Sequence, residues 1–185
     1  MPPPPPQPDP GTVAPGGFLA FAGTALDRTA ERLPGTDRSA MAMVLLLHRV
    51  ASTVVYDLES TVHRPAGWSW SAFRLLFALW VFGPQEGSRA AGLTGMSRAA
   101  VSSLAKTLAA AGLVHRAPDA NDRRSVVFSL TGSGAARVEE AFRAHNRRES
   151  RWAELLTEDE VRTLNTVLGK LARVAQEQDW VSHRF

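Results

Sequence analysis

The side chains of this sequence whose types and order could do chemistry are small and basic, and they lie between Ser97 and Gly134. Val101, Leu104 and Leu108 recur at helical spacing and define one apolar stripe. The faces left over carry Arg98, Ala99, Ala100, Ser102, Ser103 and Lys106, with no acid and no large apolar group. Small residues permit close approach to a DNA major groove, where Arg and hydroxyl groups read base edges. Ser97 stands where an N-cap accepts from a free backbone N–H and shares the same surface. Gly112 stands where a helix end wants a left-handed residue. Elsewhere no nucleophile and base are paired, no glycine-rich loop cradles phosphate, and His48, His63, His115, His145 and His183 show no metal-ligand spacing. An enzyme is therefore not expected, and neither is a metal or other cofactor.

Two strands are predicted next, Leu113–Arg116 and Ser125–Leu130, joined by the turn-forming run Ala117–Arg124. Arg123 and Arg124 at such a tip have no core role and suit the negative potential of a narrow minor groove. Asp122 repels phosphate, so its expected part is to orient an arginine through a charge-assisted hydrogen bond. Arg116 joins these as a DNA-contact candidate, and Thr131 is placed to cap the next helix. The plainer alternative is an ordinary surface helix followed by a solvated loop.

A helix, a strand, an arginine-tipped turn and a second strand form the order of a winged helix-turn-helix. The segment resembles the MarR family, the multiple-antibiotic-resistance type of bacterial regulators. That family's wing pattern is D-x-R, five residues, then L-T-x-x-G, met here by Asp122, Arg124, Leu130, Thr131 and Gly134. Gly112-Leu113-Val114 and Arg116 fit its G-L-V/I-x-R ending. By helix order and spacing the resemblance runs from about Ser39 to about Gln178. It departs at Gly87-Ser88-Arg89-Ala90-Ala91-Gly92-Leu93, where the family often has S/T-x-x-E-L-A and where three glycines (Gly87, Gly92, Gly95) disfavour a helix.

Charge and composition fit a nucleic-acid surface mounted on a separate scaffold. The net charge is only +3, but from Ser60 to Pro118 the one acid is Glu86, against Arg64, Arg74, Arg89, Arg98, Lys106 and Arg116. Hydrophobic residues make up 44%, enough for a core, and cysteine is absent, which excludes a disulfide framework or a thiol sensor. No apolar run of about 18 or more residues and no secretory pattern is seen, so no membrane span is expected and a cytoplasmic location is. Residues 1–17 read as a disordered Pro-rich tail, and residues 18–36 as an extra N-terminal helix. Residues 37–66 and 133–185 read as a helical dimerisation region, and residues 67–132 as the DNA-binding unit. Within these, helices are expected over 40–62, 72–82, 86–93 and 133–155, with a further one opened by a capping box of Thr157 and Glu160. The fold class is mainly α with a small β-hairpin wing.

The long terminal helices carry more apolar stripe than one small winged helix can cover, which points to a homodimer. Two recognition helices would then meet successive major grooves of a palindromic operator. The resemblance also implies a small-molecule crevice beside the dimer helices. His48, Tyr56, His63, Trp68, Trp70, Phe73, Arg74 and Phe77 would line it, with Arg74 as the cationic anchor for an aromatic or phenolic effector. For any one of these aromatics, ordinary core packing is the competing reading. An N-terminal helix resembles the urate-responsive branch, but Phe18 and Phe21 replace the expected Trp and Arg74 stands about where an Asp is expected, so urate is not predicted. A double-stranded-DNA-binding transcriptional regulator, a repressor, is the reading; a winged-helix module acting by protein contact is the alternative.

Overall fold

The computed structural model of the chain describes residues 17–119 and 125–177. The elements follow in the order α1 (Gly17–Arg32), α2 (Arg38–Leu58), a π-helical turn (Glu59–His63), α3 (Trp70–Phe82), β1 (Gln85–Glu86), α4 (Gly87–Thr94), α5 (Arg98–Ala110), β2 (Val114–Pro118), β3 (Val126–Leu130), α6 (Gly132–Ala153) and α7 (Glu158–Glu177). The fold is thus mainly helical with a small antiparallel sheet, the class the sequence implies. The chain divides into two compact units, one ending at Val55 and one beginning at Tyr56.

In the first unit, Asp37 caps α2 by accepting from the Ala40 N–H at 2.9 Å. Arg38 pairs with Asp27 at 2.6 Å, and the Arg49 guanidinium lies 5.2 Å over the Phe18 ring. Met43, Val44, Leu46, Leu47 and Val50 remain exposed on α2. The expectation that no segment could span a membrane needs correction on length and composition. The continuous helix Arg38–His63 reaches a mean hydropathy of 1.5 in its most apolar 18-residue window, none of it buried. His48 and Arg49 break the apolar run of this helix without lowering its average hydropathy much.

The second unit has one core. Leu75 and Leu76 of α3, Val101 and Leu108 of α5, Phe128 of β3 and Val138 of α6 meet there, with Trp68 against them. Ala90, Ala91 and Ala105 are fully or nearly fully buried, so α4 and α5 pack through small residues. Packing also explains why α4 exists despite its glycines: a Cβ on Gly87 would lie 3.4 Å from the Phe128 ring, so the helix start sits directly on the sheet. Gly95 then ends α4 in the left-handed region at φ 60°.

The sheet order is β1-β3-β2. The two-residue β1 pairs Gln85 with Phe128 and was not foreseen, because two residues carry no periodicity. Strand β2 continues past Arg116 to Pro118, which pairs with Val126, so the predicted loop loses Ala117 and Pro118 to the strand. Helix α3 starts at Trp70, two residues before the expected Ala72, because Ser69 is the cap and accepts from the Ala72 N–H at 3.2 Å. Helix α6 stops at Ala153 and not Leu155. At the head of α7 the capping box forms: Glu160 Oε2 accepts from the Thr157 N–H at 2.8 Å, and Thr157 Oγ1 accepts from the Glu160 N–H at 3.3 Å.

The L-T-x-x-G signature is a clasp between α5, the wing and α6. Gly112 turns the chain out of α5 at φ +70°. The Thr131 hydroxyl donates to the Gly112 carbonyl at 2.8 Å and accepts from the Gly134 N–H at 2.9 Å. The Thr131 N–H donates to the Leu113 carbonyl at 3.0 Å. A Cβ on Gly134 would meet that same Leu113 oxygen at 2.1 Å, whereas one on Gly132 would meet nothing within 4 Å. Gly134→Ala is therefore expected to lower stability by about 3 kcal/mol, the upper range for overpacking. Gly132→Ala is expected to change it by about 0.5 kcal/mol or less. Urea denaturation of the two variants checks this; equal midpoints would contradict it.

Candidate nucleic-acid interface

Helix α5 presents the surface the sequence suggests. Val101, Ala105 and Leu108 turn inward with Leu104 partly buried. Arg98, Ala99, Ala100, Ser102, Ser103 and Lys106 are all exposed. Ser97 Oγ accepts from the Ala100 N–H at 3.2 Å, so this hydroxyl fixes the helix start and still has its proton to donate. Neither Arg98 nor Lys106 has an ion pair among the described residues, so both charges are available to a polyanion. A shallow cavity of about 350 Å³ lies beside this face, lined by Ser71, Met96, Ser97, Ala100, Ser103, Leu104 and Thr107.

The wing strands stand next to α5, joined to it through Gly112 and Leu113. Arg116 is exposed on β2, and its guanidinium lies 5.9 Å over the Phe128 ring, a cation–π contact that sets its direction. Asp122, Arg123 and Arg124 lie outside the described residues, as does the Pro-rich stretch 1–16.

The residues expected to line an effector crevice are only partly brought together. His63, Trp70, Phe73 and Phe77 do form one stacked aromatic cluster: His63 lies 4.0 Å from Phe73, and Phe73 lies 5.5 Å from Phe77. The cluster extends to residues that sequence reasoning left out, Trp80, Phe142 and His145. His48 is exposed in the first unit. Tyr56 is exposed, with the Arg64 guanidinium 5.9 Å over its ring. Trp68 is buried, and the cation over it is Arg137, at 5.3 Å, and not Arg74. Arg137 also donates to the Ala66 carbonyl at 2.7 Å. Arg74 itself is partly buried and has no ion pair among the described residues.

Two polar contacts tie the end of α2 and the π-helical turn to α6. Asp57 accepts from Arg148 Nε and Nη2, each at 2.6 Å, and from Trp152 Nε1 at 2.8 Å. Those donors, the arginine first, hold the Asp57 carboxyl below the usual carboxylate range. The second contact joins His63 Nε2 to His145 Nδ1 at 3.0 Å. Burial, and then the neighbouring His145, push His63 down to about 4. These partners are 82 to 95 residues apart, so spacing along the chain gives no sign of them. Among the described residues no three metal-ligating side chains gather.

Residues 68–126, spanning α3 to the start of β3, match the MarR family. The chain is 33% identical over 133 residues to the uncharacterized HTH-type transcriptional regulator YwaE of Bacillus subtilis, covering 72% of this chain and 78% of that protein. The structure resembles an E. coli MarR variant solved with operator DNA, with a TM-score of 0.65 and 24% identity over 77% of this chain and 96% of the other. It also resembles Bordetella bronchiseptica BpsR, a protein whose DNA binding is regulated by 6-hydroxynicotinic acid, with a TM-score of 0.63 and 25% identity over 69% and 96% of the two chains. Sequence kinship over most of YwaE, the three-stranded wing and the clasp at Thr131 agree, and the chain is a member of the MarR family of winged-helix transcriptional regulators.

Proposed function

We propose that this regulator binds double-stranded DNA sequence-specifically as a homodimer on a palindromic operator, represses from it, and is released by a small aromatic or phenolic ligand. The observation that carries the reading is the outer face of α5: exposed, free of acid, small enough to enter a groove, and flanked by the basic wing. On this reading Ser97, Arg98, Ala99, Ala100, Ser102 and Ser103 face bases, Lys106 meets phosphate, and Arg116, Arg123 and Arg124 serve the wing with Asp122 as orienting partner. The alternative, a module that acts by protein contact, would need an apolar α5 face.

Uncovered apolar surface supports the dimer. Helix α2 exposes Met43, Val44, Leu46, Leu47 and Val50, and α7 exposes Leu164, Val167, Leu168 and Leu171. Contiguous apolar stripes of this extent mark interaction sites, and a second copy supplies stripes of matching character. Residues 37–66 and 133–185 then form the dimerisation region, and residues 67–132 the DNA-binding unit. A dimer of this kind sets its recognition helices about 34–36 Å apart, one turn of DNA. The aromatic cluster around Trp70 and Phe77, with partly buried Arg74 on the same helix, supports a planar anionic effector. BpsR's regulation by an aromatic acid is consistent with this class of ligand. The working compartment on this reading is the cytoplasm.

Lys106→Ala is expected to weaken binding to all duplexes alike and to reduce the slope of log affinity against log salt by about one unit. Arg98→Ala is expected to cost about 1–3 kcal/mol on the preferred site and to relax preference at particular bases. Fluorescence anisotropy on matched and scrambled duplexes distinguishes them; identical effects of the two changes would refute this division of roles. Sedimentation velocity is expected to find the chain at about twice its 20.0 kDa mass, and Val167→Asp is expected to shift it toward the monomer with loss of duplex affinity. A monomeric wild type at micromolar concentration would contradict the dimer.

A further inference from the structure

The π-helical turn ends in a buried histidine that the DNA surface does not use. His63 is fully buried and His145 is 4% exposed. Their rings are joined Nε2 to Nδ1 at 3.0 Å, and His145 Nε2 lies 3.0 Å from Glu149 Oε1. Asn146 Nδ2 donates to the other Glu149 oxygen at 3.0 Å, and the Glu149 side chain is 45% exposed, so the chain of groups runs from the buried aromatic cluster out to solvent. We propose that His63, His145 and Glu149 form a proton-sensitive latch between the π-helical turn and α6, closed while both imidazoles are neutral and opened by the uptake of one proton.

The hydrogen bonds fix where the protons are. An ionised Glu149 only accepts, so His145 carries its proton on Nε2 and offers a bare Nδ1. His63 must then donate from Nε2, which leaves its Nδ1 bare, and that atom is buried with no partner among the described residues. A lone pair among rings is tolerable. A proton added to His145 arrives on Nδ1, facing the N–H of His63. Either the two N–H groups oppose each other and the bond breaks, or His63 moves its proton to Nδ1 and buries a donor without an acceptor, at the cost of an unmade hydrogen bond. The surroundings give no relief. Helix α3 faces His63 with the rings of Trp70 and Phe73, and its one charged residue, Arg74, has no ion pair among the described residues. Helix α6 supplies His145, Glu149 and the ring of Phe142. On its own segment Glu59 is paired with Arg64 at 3.5 Å. One turn back, Asp57 is held by Arg148 and, with its carboxyl lowered, stays ionised as the pH falls through the histidine range. A π turn in place of regular helix often marks a functional position, and here it ends on the latch.

The sign follows from His63, which is held at about 4 in the fold against an ordinary 6.5. Its contribution to stability is complete above the ordinary value and is lost as the pH falls toward the folded one.

The test uses the full chain. Imidazole-selective NMR at about pH 8 is expected to show two neutral rings protonated on Nε2, and the melting temperature is expected to fall between about pH 7 and about pH 5. His63→Phe keeps a ring against Phe73 and removes the N–H that opposes a proton on His145 Nδ1, so most of that fall should disappear. Should that variant fail to fold, Glu149→Gln keeps the acceptor and removes the charge that favours an imidazolium. It should move the midpoint about one pH unit lower, a shift that a purely structural contact would not produce. A flat wild-type profile, a His63 ring titrating near 6.5 like one in open solvent, or an unmoved midpoint in Glu149→Gln overturns the latch. Loss of duplex affinity with the same midpoint is expected on the DNA-binding reading; a chain that binds no duplex at any pH refutes that reading alone, while NMR and melting still decide the latch.

Discussion

The Thr131 hydroxyl bonds the Gly112 carbonyl, the Gly134 N–H and the Ser133 hydroxyl, and the geometry of the winged unit follows from the first two. By donating to the Gly112 carbonyl it ties down the exit of α5, and by accepting from the Gly134 N–H it starts α6. The recognition helix, the first wing strand and the long terminal helix are therefore fixed at a single point. Gly134 must lack a side chain because the Leu113 carbonyl occupies that space. A signature that reads as a mark of DNA binding is, at Leu113, Thr131 and Gly134, an arrangement for holding α5 still. The residues proposed to contact DNA on α5 lie outside the clasp, and Arg98, Ser102, Ser103 and Lys106 are exposed there.

The second junction lies where the end of α2 and the π-helical turn meet α6. One link there is ionic, Asp57 with Arg148 and Trp152, and one joins two neutral imidazoles, His63 and His145, to the Glu149 carboxylate. The two respond to different conditions. The ionic link resists acid because three donor N–H groups stabilise the carboxylate. The imidazole link depends on a single arrangement of protons. Helix α6 joins this junction to the clasp, so a change at one end can be felt at the other through a continuous helix of 22 residues.

Much of the winged unit was legible in the sequence because its signals are local. Ser69, Ser97, Thr131 and the Thr157–Glu160 box announce helix starts by side chains that cap within three residues. The stripe of Val101 and Leu108 gave the buried face of α5. What could not be read depends on partners far along the chain. Strand β1 is two residues that extend only because Phe128 and Val127 are there to pair with. The His63–His145 contact joins residues 82 apart. The contact of Trp68 with Arg137 of α6 joins residues far apart in the chain and had no local sign. The long apolar helix gave no unbroken run because His48 and Arg49 interrupt it, although its mean hydropathy stays high.

The central claim is that α5 reads base sequence in a two-fold arrangement. Selection of duplexes from a random pool by the purified full-length chain, followed by sequencing, tests it directly. The account predicts enrichment of a palindromic site whose half-sites are about 10–10.5 base pairs apart, centre to centre. A selected pool with no shared sequence, or with one asymmetric half-site only, would contradict it.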